Sequence, residues 1–589
     1  MFAGKDLNWD LLNYHYYGPF QLLEGRLRQD FFAASAQSYL NPIGYLPFYL
    51  MVSSGWHSVA VSLLLAGAHG LSLALLWRLA WQLFAHLPQR DRLVMSCLAA
   101  ALGAATAVFW ATVGTSFLDP LLAPLMLAGL LLLLNHHHFA LAGMLFGAAA
   151  ALKYSNAIFA LAAFPLAFLC GRRAVLAYMA GGAAAVAVLA GPWLVLMLRE
   201  FGNPLYPLSG GSVSARFTPE GLLAALAFPF RMALLDRALY VEIFAPDIRF
   251  AALIAAAIAV PIFKKSTVSA LQGADWRVFG FFAAAAALWL VTSANGRYGM
   301  IVLLLAGVLL ARIIERLLPP GPARVTLGVL LVAQLVMTVI AAPPRWFIAE
   351  PWSRQWLPYE APQRALREPA LYLTLETLPM AVVAPFVHPE SSFVNFRGQH
   401  SLAPDAPRLA ALLERHRGRV RVLGRALELE GGAPAPAQVK AYDGTLARIG
   451  YRLDPADCFT IAWRPDGADA VSRGANWLSG TPPSSEPLAV GSCGLLPAPR
   501  DPLRAAAELR MSALFDRVEK ACRPLFRGQT AVTEPLGSGW SRHYVDLDAR
   551  LEAIGGRLVL HRYRAGLLVH LGSAADWERP DASVPPECR

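Results

Sequence analysis

Charge is scarce in this chain. Asp, Glu, Lys and Arg make up 15% of its 589 residues, while 56% are hydrophobic. That balance lies outside the range of ordinary soluble domains and points to an integral membrane protein. Cysteine is equally sparse: the six present show no CxxC and no Cys/His ligand spacing, which argues against a structural zinc site. Four of them, Cys458, Cys493, Cys522 and Cys588, fall in the polar C-terminal region. An oxidising compartment there allows up to two disulfides and leaves three pairings open. The tail carries no GxGxxG or Walker pattern for a nucleotide. The chain shows no GxSxG elbow for a serine hydrolase and no repeat of fixed period. Its net charge of +11 forms no basic stripe, so nucleic acid is not an expected partner, and orientation in a membrane explains much of the excess.

What the chain has in quantity is apolar runs. They predict helices near 58–85, 93–113, 120–134, 139–152, 154–170, 174–198, 249–263, 277–292, 300–317 and 325–342, ten spans in all. Several fall short of the roughly 20 residues that cross a bilayer core, so they must borrow flanking residues or pack inside the bundle. The Lys and Arg clusters at 86–92, 171–173, 264–266 and 311–324 fall on one face under this count, which is therefore cytoplasmic. The opposite face receives residues 1–57, the turn at Asp119, the junction at Lys153, the loop 199–248, the turn 293–299 and everything after about 343. The expected fold class is a mainly α polytopic membrane protein of about ten transmembrane helices with a C-terminal exported α+β domain. Residues 1–342 form the transmembrane domain, with 1–57 as its first exported loop, and 343–589 an extracytoplasmic soluble domain. Runs such as "RVRVLGRALELE" and "GRLVLHRYRAGLLVHLG" in the tail alternate as strands do, and "LETLPMAVVAPFVHPESSFVNF" reads as strand, helix, strand.

Chemistry concentrates on the expected exported face. The opening "GKDLNWDLLNYHYYGPF" crowds Asp6, Asp10, His15 and several aromatics into one stretch. Asp6 and Asp10 are spaced to share one side of a helix, with His15 about a turn and a half further on. For an arbitrary chain a solvated amphipathic segment with its aromatics at the membrane interface would explain this, but here it leads into a run that ends against the membrane, at the mouth of the bundle. Asp119 in "FLDPLL" stands at a helix start, where capping and catalytic or metal work are both open. Lys153 in "ALKYSN" interrupts apolar sequence, where snorkelling competes with phosphate binding. Arg297 and Tyr298 in "SANGRYGM", and Asn203 in "FGNPLYP", arrive on the same face.

In their order and sidedness "NWDLLNYHYY", "SYLNPIGYLPFY", "FLDPLL", "ALKYSN", "GNPLYP" and "GRYG" resemble the GT-C superfamily of membrane glycosyltransferases, in the bacterial branch related to protein mannosyltransferases and lipid A aminoarabinose transferases. The resemblance covers roughly residues 1–342. It implies transfer of a sugar from a polyprenyl-phosphate-linked donor to a glycan, lipid or protein acceptor outside the cytoplasm, by a multi-pass protein of the inner (plasma) membrane in contact with membrane lipids. By this analogy Asp10 is the base that deprotonates the acceptor hydroxyl. Asp119 shares in a donor-phosphate site or in binding a divalent metal, Mg or Mn. Lys153 and Arg297, with Tyr298, face the departing phosphate. His15 hydrogen-bonds donor or acceptor, and Asn203 is loop scaffold. Two departures stand out. Only nine residues precede Asp10, where the family places a first transmembrane helix, so a missing upstream helix is expected. The first loop also lacks an adjacent acid pair, which weakens the case for a metal. A transporter or flippase of lipid-linked sugars and a non-enzymatic envelope assembly protein are the competing classes. The first should show repeated halves and midplane polar residues.

Overall fold

The computed structural model describes residues 4–208, 218–219, 221–234, 245–262, 273–340, 347–425, 427–466, 469–483, 488–526, 529, 531–537, 539–563, 567–579 and 588. The basic loop at 264–266 and residues 209–217 and 235–244 of the long loop lie outside them. The chain divides into two compact units: a helical one, residues 62–196 and 214–345, and a mixed one, residues 1–61, 197–213 and 346–589.

The helical unit and its entry carry α1 (Ser58–Leu83), α2 (Gln89–Ala104), α3 (Leu118–Leu134), α4 (Phe139–Leu152), α5 (Ala157–Phe168), α6 (Arg172–Leu189), α7 (Gly191–Phe201), α8 (Leu222–Ala233), α9 (Arg249–Ile262), α10 (Gly273–Thr292), α11 (Met300–Leu317) and α12 (Pro320–Ile340). Among the described residues four helices, α1, α6, α10 and α12, are long and apolar enough to cross a membrane. The described residues of the ten expected runs are largely helical, and four of those helices have the length and apolar composition of a full span. The run 93–113 breaks after Ala104 and resumes only at Ala107–Thr112. Here buried Arg249, paired with Asp247, donates from Nη1 to the carbonyls of Leu102 and Gly103, each at 2.8 Å. It thereby caps a helix end that water does not reach. The run 174–198 breaks at Ala190, because Pro192 has no N–H to continue the ladder. The run 154–170 opens as a 3-10 turn, Tyr154–Asn156.

Packing explains the short helices. Residues Met300 to Glu315 of α11 are buried without a break, as expected of a helix apolar on all sides and surrounded by others. Arg312 lies within this helix, fully buried against Asp275 at 2.9 and 3.0 Å, so it is not the free loop charge that the count at 311–324 assumes. Helices α4 and α6 touch through glycine: a Cβ on Gly143 would lie 1.9 Å from the Tyr178 carbonyl oxygen. Small residues at such spacing let two backbones approach this closely.

The mixed unit contains β1 (Lys5–Asn8), β2 (Phe347–Glu350), β3 (Tyr359–Glu360), β4 (Leu371–Thr374), β5 (Ser392–Asn395), β6 (Val420–Gly424), β7 (Tyr451–Trp463) and β8 (Val490–Pro497), then helix α13 (Ala470–Ser479) between β7 and β8. A six-stranded sheet runs β3-β7-β8-β6-β4-β5, with β4 parallel to both β5 and β6. Of the stretch 375–396 read as strand, helix, strand, the structure has only the last strand, β5, preceded by a 3-10 segment Ala381–Phe386, while β4 ends at Thr374, just before the stretch begins. After helix α14 (Pro502–Ala521) comes a five-stranded antiparallel meander of β9 (Thr533–Leu536), β10 (Gly539–Tyr544), β11 (Ala549–Ile554), β12 (Arg557–Arg562) and β13 (Leu567–Ser573). By contacts residues 1–61 group with the tail rather than with the helices. Strand β1 pairs antiparallel with β2. The buried pair Arg26 and Asp30 also ties the opening segment to the turn before β5: Arg26 donates to the carbonyls of Pro389 and Ser391, and Asp30 Oδ1 accepts from the Phe393 N–H at 2.9 Å.

The four C-terminal cysteines form two disulfides. Cys458 and Cys493 face each other across β7 and β8, and Cys522 at the end of α14 joins Cys588. Cys97 and Cys170 are free. Thiol labelling of the denatured, unreduced protein should therefore modify only those two. Reduction should expose the other four, and six reactive thiols before reduction would contradict the pairing.

Candidate active site

The opening stretch is not one helix. Residues 5–8 are strand β1, which separates Asp6 from the helical geometry that its spacing with Asp10 suggested. After it, Leu11–His15 winds as a π-helix with Asp10 at its N-terminus. In a π turn residues five apart share a face, and His15 Nε2 lies 4.0 Å from Asp10 Oδ2. The turn-and-a-half offset expected for an α-helix is thereby closed. Both side chains are buried. His15 stacks on Tyr45 at 4.2 Å between ring centres and meets Tyr14 edge-on at 4.6 Å. Asn8 fixes the turn: its Oδ1 accepts from the Leu11 N–H at 2.8 Å, and its Nδ2 donates to Asp6 Oδ2.

Asp6, Asn8 and Lys5 carry no role legible in the sequence. Lys5 Nζ, fully buried, donates to Ser353 Oγ at 2.7 Å and to the Gln355 carbonyl at 3.1 Å, and lies over the Trp463 ring. Burial lowers its pKa to about 7. Burial, with a smaller push from Asp10, raises the Asp6 carboxyl to about 7 against the hydrogen bonds from Asn8. A carboxyl raised on folding contributes stability that is complete below its ordinary 3.8 and lost as pH rises towards 7. A lowered lysine contributes stability that is complete above its ordinary 10.5 and lost as pH falls towards 7. Thermal melts across pH should show that Asp6→Asn removes a fall in stability between about pH 4 and 7, and that Lys5→Met removes a rise between about pH 7 and 10. Parallel pH profiles for parent and variants would refute both shifts.

In the helical unit Asp119 sits in the first turn of α3, where the helix dipole favours an acid. Phe117 occupies the cap position. The Asp119 carboxylate instead accepts from Lys153 Nζ at 2.6 Å through Oδ1. Its Oδ2 is buried and has no hydrogen-bond partner among the described residues. Lys153 terminates α4 in an extended conformation and lies 4.2 Å from the Tyr298 ring centre. Arg297, buried, lies 4.4 Å over Phe117, the residue that precedes α3. Asn295 sets its turn by accepting the Arg297 N–H at 3.0 Å, and Gly299 is required because a Cβ there would lie 2.7 Å from the Trp289 ring. The structure thus brings together Asp119, Lys153 and Tyr298, with Arg297 joined to them through Phe117 and Tyr298. Phe117 and Asn295 carried no signal in the sequence beyond adjacency to the motifs. Beside Lys153, the hydroxyls of Tyr154 and Ser155 are also buried without a partner among the described residues. Buried polar atoms without partners suit a ligand that supplies them.

A divalent metal at Asp119 would compete with Lys153 for the carboxylate. An ammonium already occupies one carboxylate oxygen, and among the described residues no three His, Cys, Asp or Glu side chains are placed to hold an ion. In the mixed unit Asn203 Oδ1 accepts from the Leu205 N–H at 3.0 Å, closing a turn whose Tyr206 stacks on Phe201 at 4.0 Å.

No curated protein and no solved structure matches the chain. Residues 39–271, which carry Asp119, Lys153 and Asn203, match the sequence model of Glycosyltransferase family 87.

Proposed function

We propose that the chain is a membrane glycosyltransferase of GT-C type that moves a sugar from a polyprenyl-phosphate-linked donor to an acceptor on the extracytoplasmic side. The observation that carries this reading is the match to Glycosyltransferase family 87 over the stretch that holds the Asp119–Lys153 pair. Asp10, paired with His15, takes the proton of the acceptor hydroxyl as its oxygen attacks the anomeric carbon. The bond from that carbon to the phosphate oxygen breaks, and its electron pair leaves on the polyprenyl phosphate. Lys153 and Arg297 balance the charge that grows there, while the unpartnered hydroxyls of Tyr154 and Ser155 are suited to donate to phosphate oxygens. Tyr298 holds the Lys153 ammonium over its ring, and Asn203 shapes a loop. No step runs through a metal. Two disulfides in the tail support its placement in an oxidising compartment, outside the cytoplasm.

The test is release of polyprenyl phosphate by the purified protein from a panel of polyprenyl-phosphate sugars, with and without cell-envelope acceptors. Mass spectrometry of envelope glycans in a deletion strain identifies the product. Acceptor-dependent release supports transfer. Movement of intact lipid-linked sugar across proteoliposomes without cleavage would instead make the protein a flippase.

A further inference from the structure

Helix α13 is built inside out for water. Two of its polar side chains face the protein: Ser472 is buried, its N–H donating to the capping Asp469 at 2.9 Å, and Asn476 bonds both the N–H and the carbonyl of Trp352, at 2.6 and 2.8 Å. Its large apolar side chains face outward, while Ala475 is buried. Trp477 is 84% exposed, Leu478 58% and Val471 55%. With Ala470 and Gly474, also exposed, they form one continuous arc of the helix surface at 100° per residue. A helix that satisfies its hydroxyl and amide inward and leaves tryptophan and leucine outward is matched to an apolar medium on that side.

The position of α13 indicates which medium. Asp469 Oδ1 lies 3.0 Å from His57 Nε2, and His57 is the residue before α1 begins. Ser58 donates to the Ser353 carbonyl, and Val59 packs with Trp352 and Ala475 of α13 in one apolar cluster. Helix α13 is therefore fastened to the first turn of α1, the most apolar candidate span together with α12, 26 residues long. Trp56 and Leu50, just before α1, are also exposed. Tryptophan at the entry of a span is the usual interfacial anchor.

We propose that α13 is an interfacial helix, whose Val471, Trp477 and Leu478 enter the leaflet where α1 begins and set the depth of the mixed unit on the bilayer. Exposed Arg473, beside this arc, is placed to reach back to the headgroups. The inference rests on α1 as a membrane span and is independent of sugar transfer.

The experiment uses the full chain in nanodiscs of phosphatidylethanolamine and phosphatidylglycerol, with Cys97→Ser and Cys170→Ser to clear free thiols. A nitroxide is attached at Trp477→Cys, or at Ala411→Cys as an exposed reference. Power-saturation electron paramagnetic resonance should show the label at 477 colliding with oxygen severalfold more than with a nickel chelate, and the reverse at 411. Nickel access at 477 equal to that at 411 would place α13 in water. Protection from both reagents would place it against protein. Either result overturns the proposal. As a check without labelling, brominated phospholipids should quench the parent's fluorescence more than that of Trp477→Phe, and equal quenching would also overturn it.

Discussion

Asp10→Asn should lower sugar transfer by about a hundredfold to ten-thousandfold, the range supplied by a positioned general base, and leave the melting curve in place. An acceptor hydroxyl is a poor nucleophile at neutral pH, so loss of the proton acceptor is felt in turnover. Asparagine keeps the size of the side chain and can still accept a hydrogen bond within the π turn that begins at Leu11. His15 lies 4.0 Å from the carboxylate and is proposed to orient it. His15→Gln should therefore cost less than Asp10→Asn and shift the pH optimum. The measurement is polyprenyl phosphate release in detergent beside a thermal melt of each variant. Parental turnover for Asp10→Asn with an unchanged melt would move the base elsewhere and return the opening stretch to a structural role.

The second large effect falls on the Asp119–Lys153 pair, and it should be asymmetric. Lys153→Met leaves a carboxylate that is only 1% exposed without its cation. Removal of one partner of a buried pair costs about 3–5 kcal/mol. Asp119→Asn should cost less, because Lys153 remains 17% exposed and keeps the Tyr298 ring beneath its ammonium. The double variant Asp119→Asn/Lys153→Met removes both charges and should recover most of the lost melting temperature. It should still transfer sugar poorly, since the cation proposed to meet the donor phosphate is gone. A stable double variant with parental turnover would make the pair a helix clamp and nothing more.

Much of the architecture was legible because it rests on local signals. Apolar runs located the helices, since a chain that buries its backbone in lipid or among other helices must be apolar over consecutive residues. Alternation located the strands of the tail for a similar reason. The candidate residues were found as polar interruptions in apolar sequence, which is why Asp119, Lys153 and Arg297 stood out while Phe117 and Asn295 did not. Helix lengths were less legible. The ends of the 93–113 and 174–198 runs depend on a cap from Arg249, well over a hundred residues away, and on Pro192, which hydropathy alone underweights.

By itself, then, the sequence determined that this protein is helical and membrane-suited with a polar, cysteine-bearing tail, because composition and periodicity act within a few residues of each other. Only the tertiary structure decided who pairs with whom. It joined Asp119 to Lys153 across 34 residues, chose one of three disulfide pairings, placed residues 5–8 as a strand beside 347–350 and brought His15 to Asp10 through a π turn. It also turned the apolar face of α13 outward. Such choices depend on which distant surfaces meet, and no short-range periodicity records that.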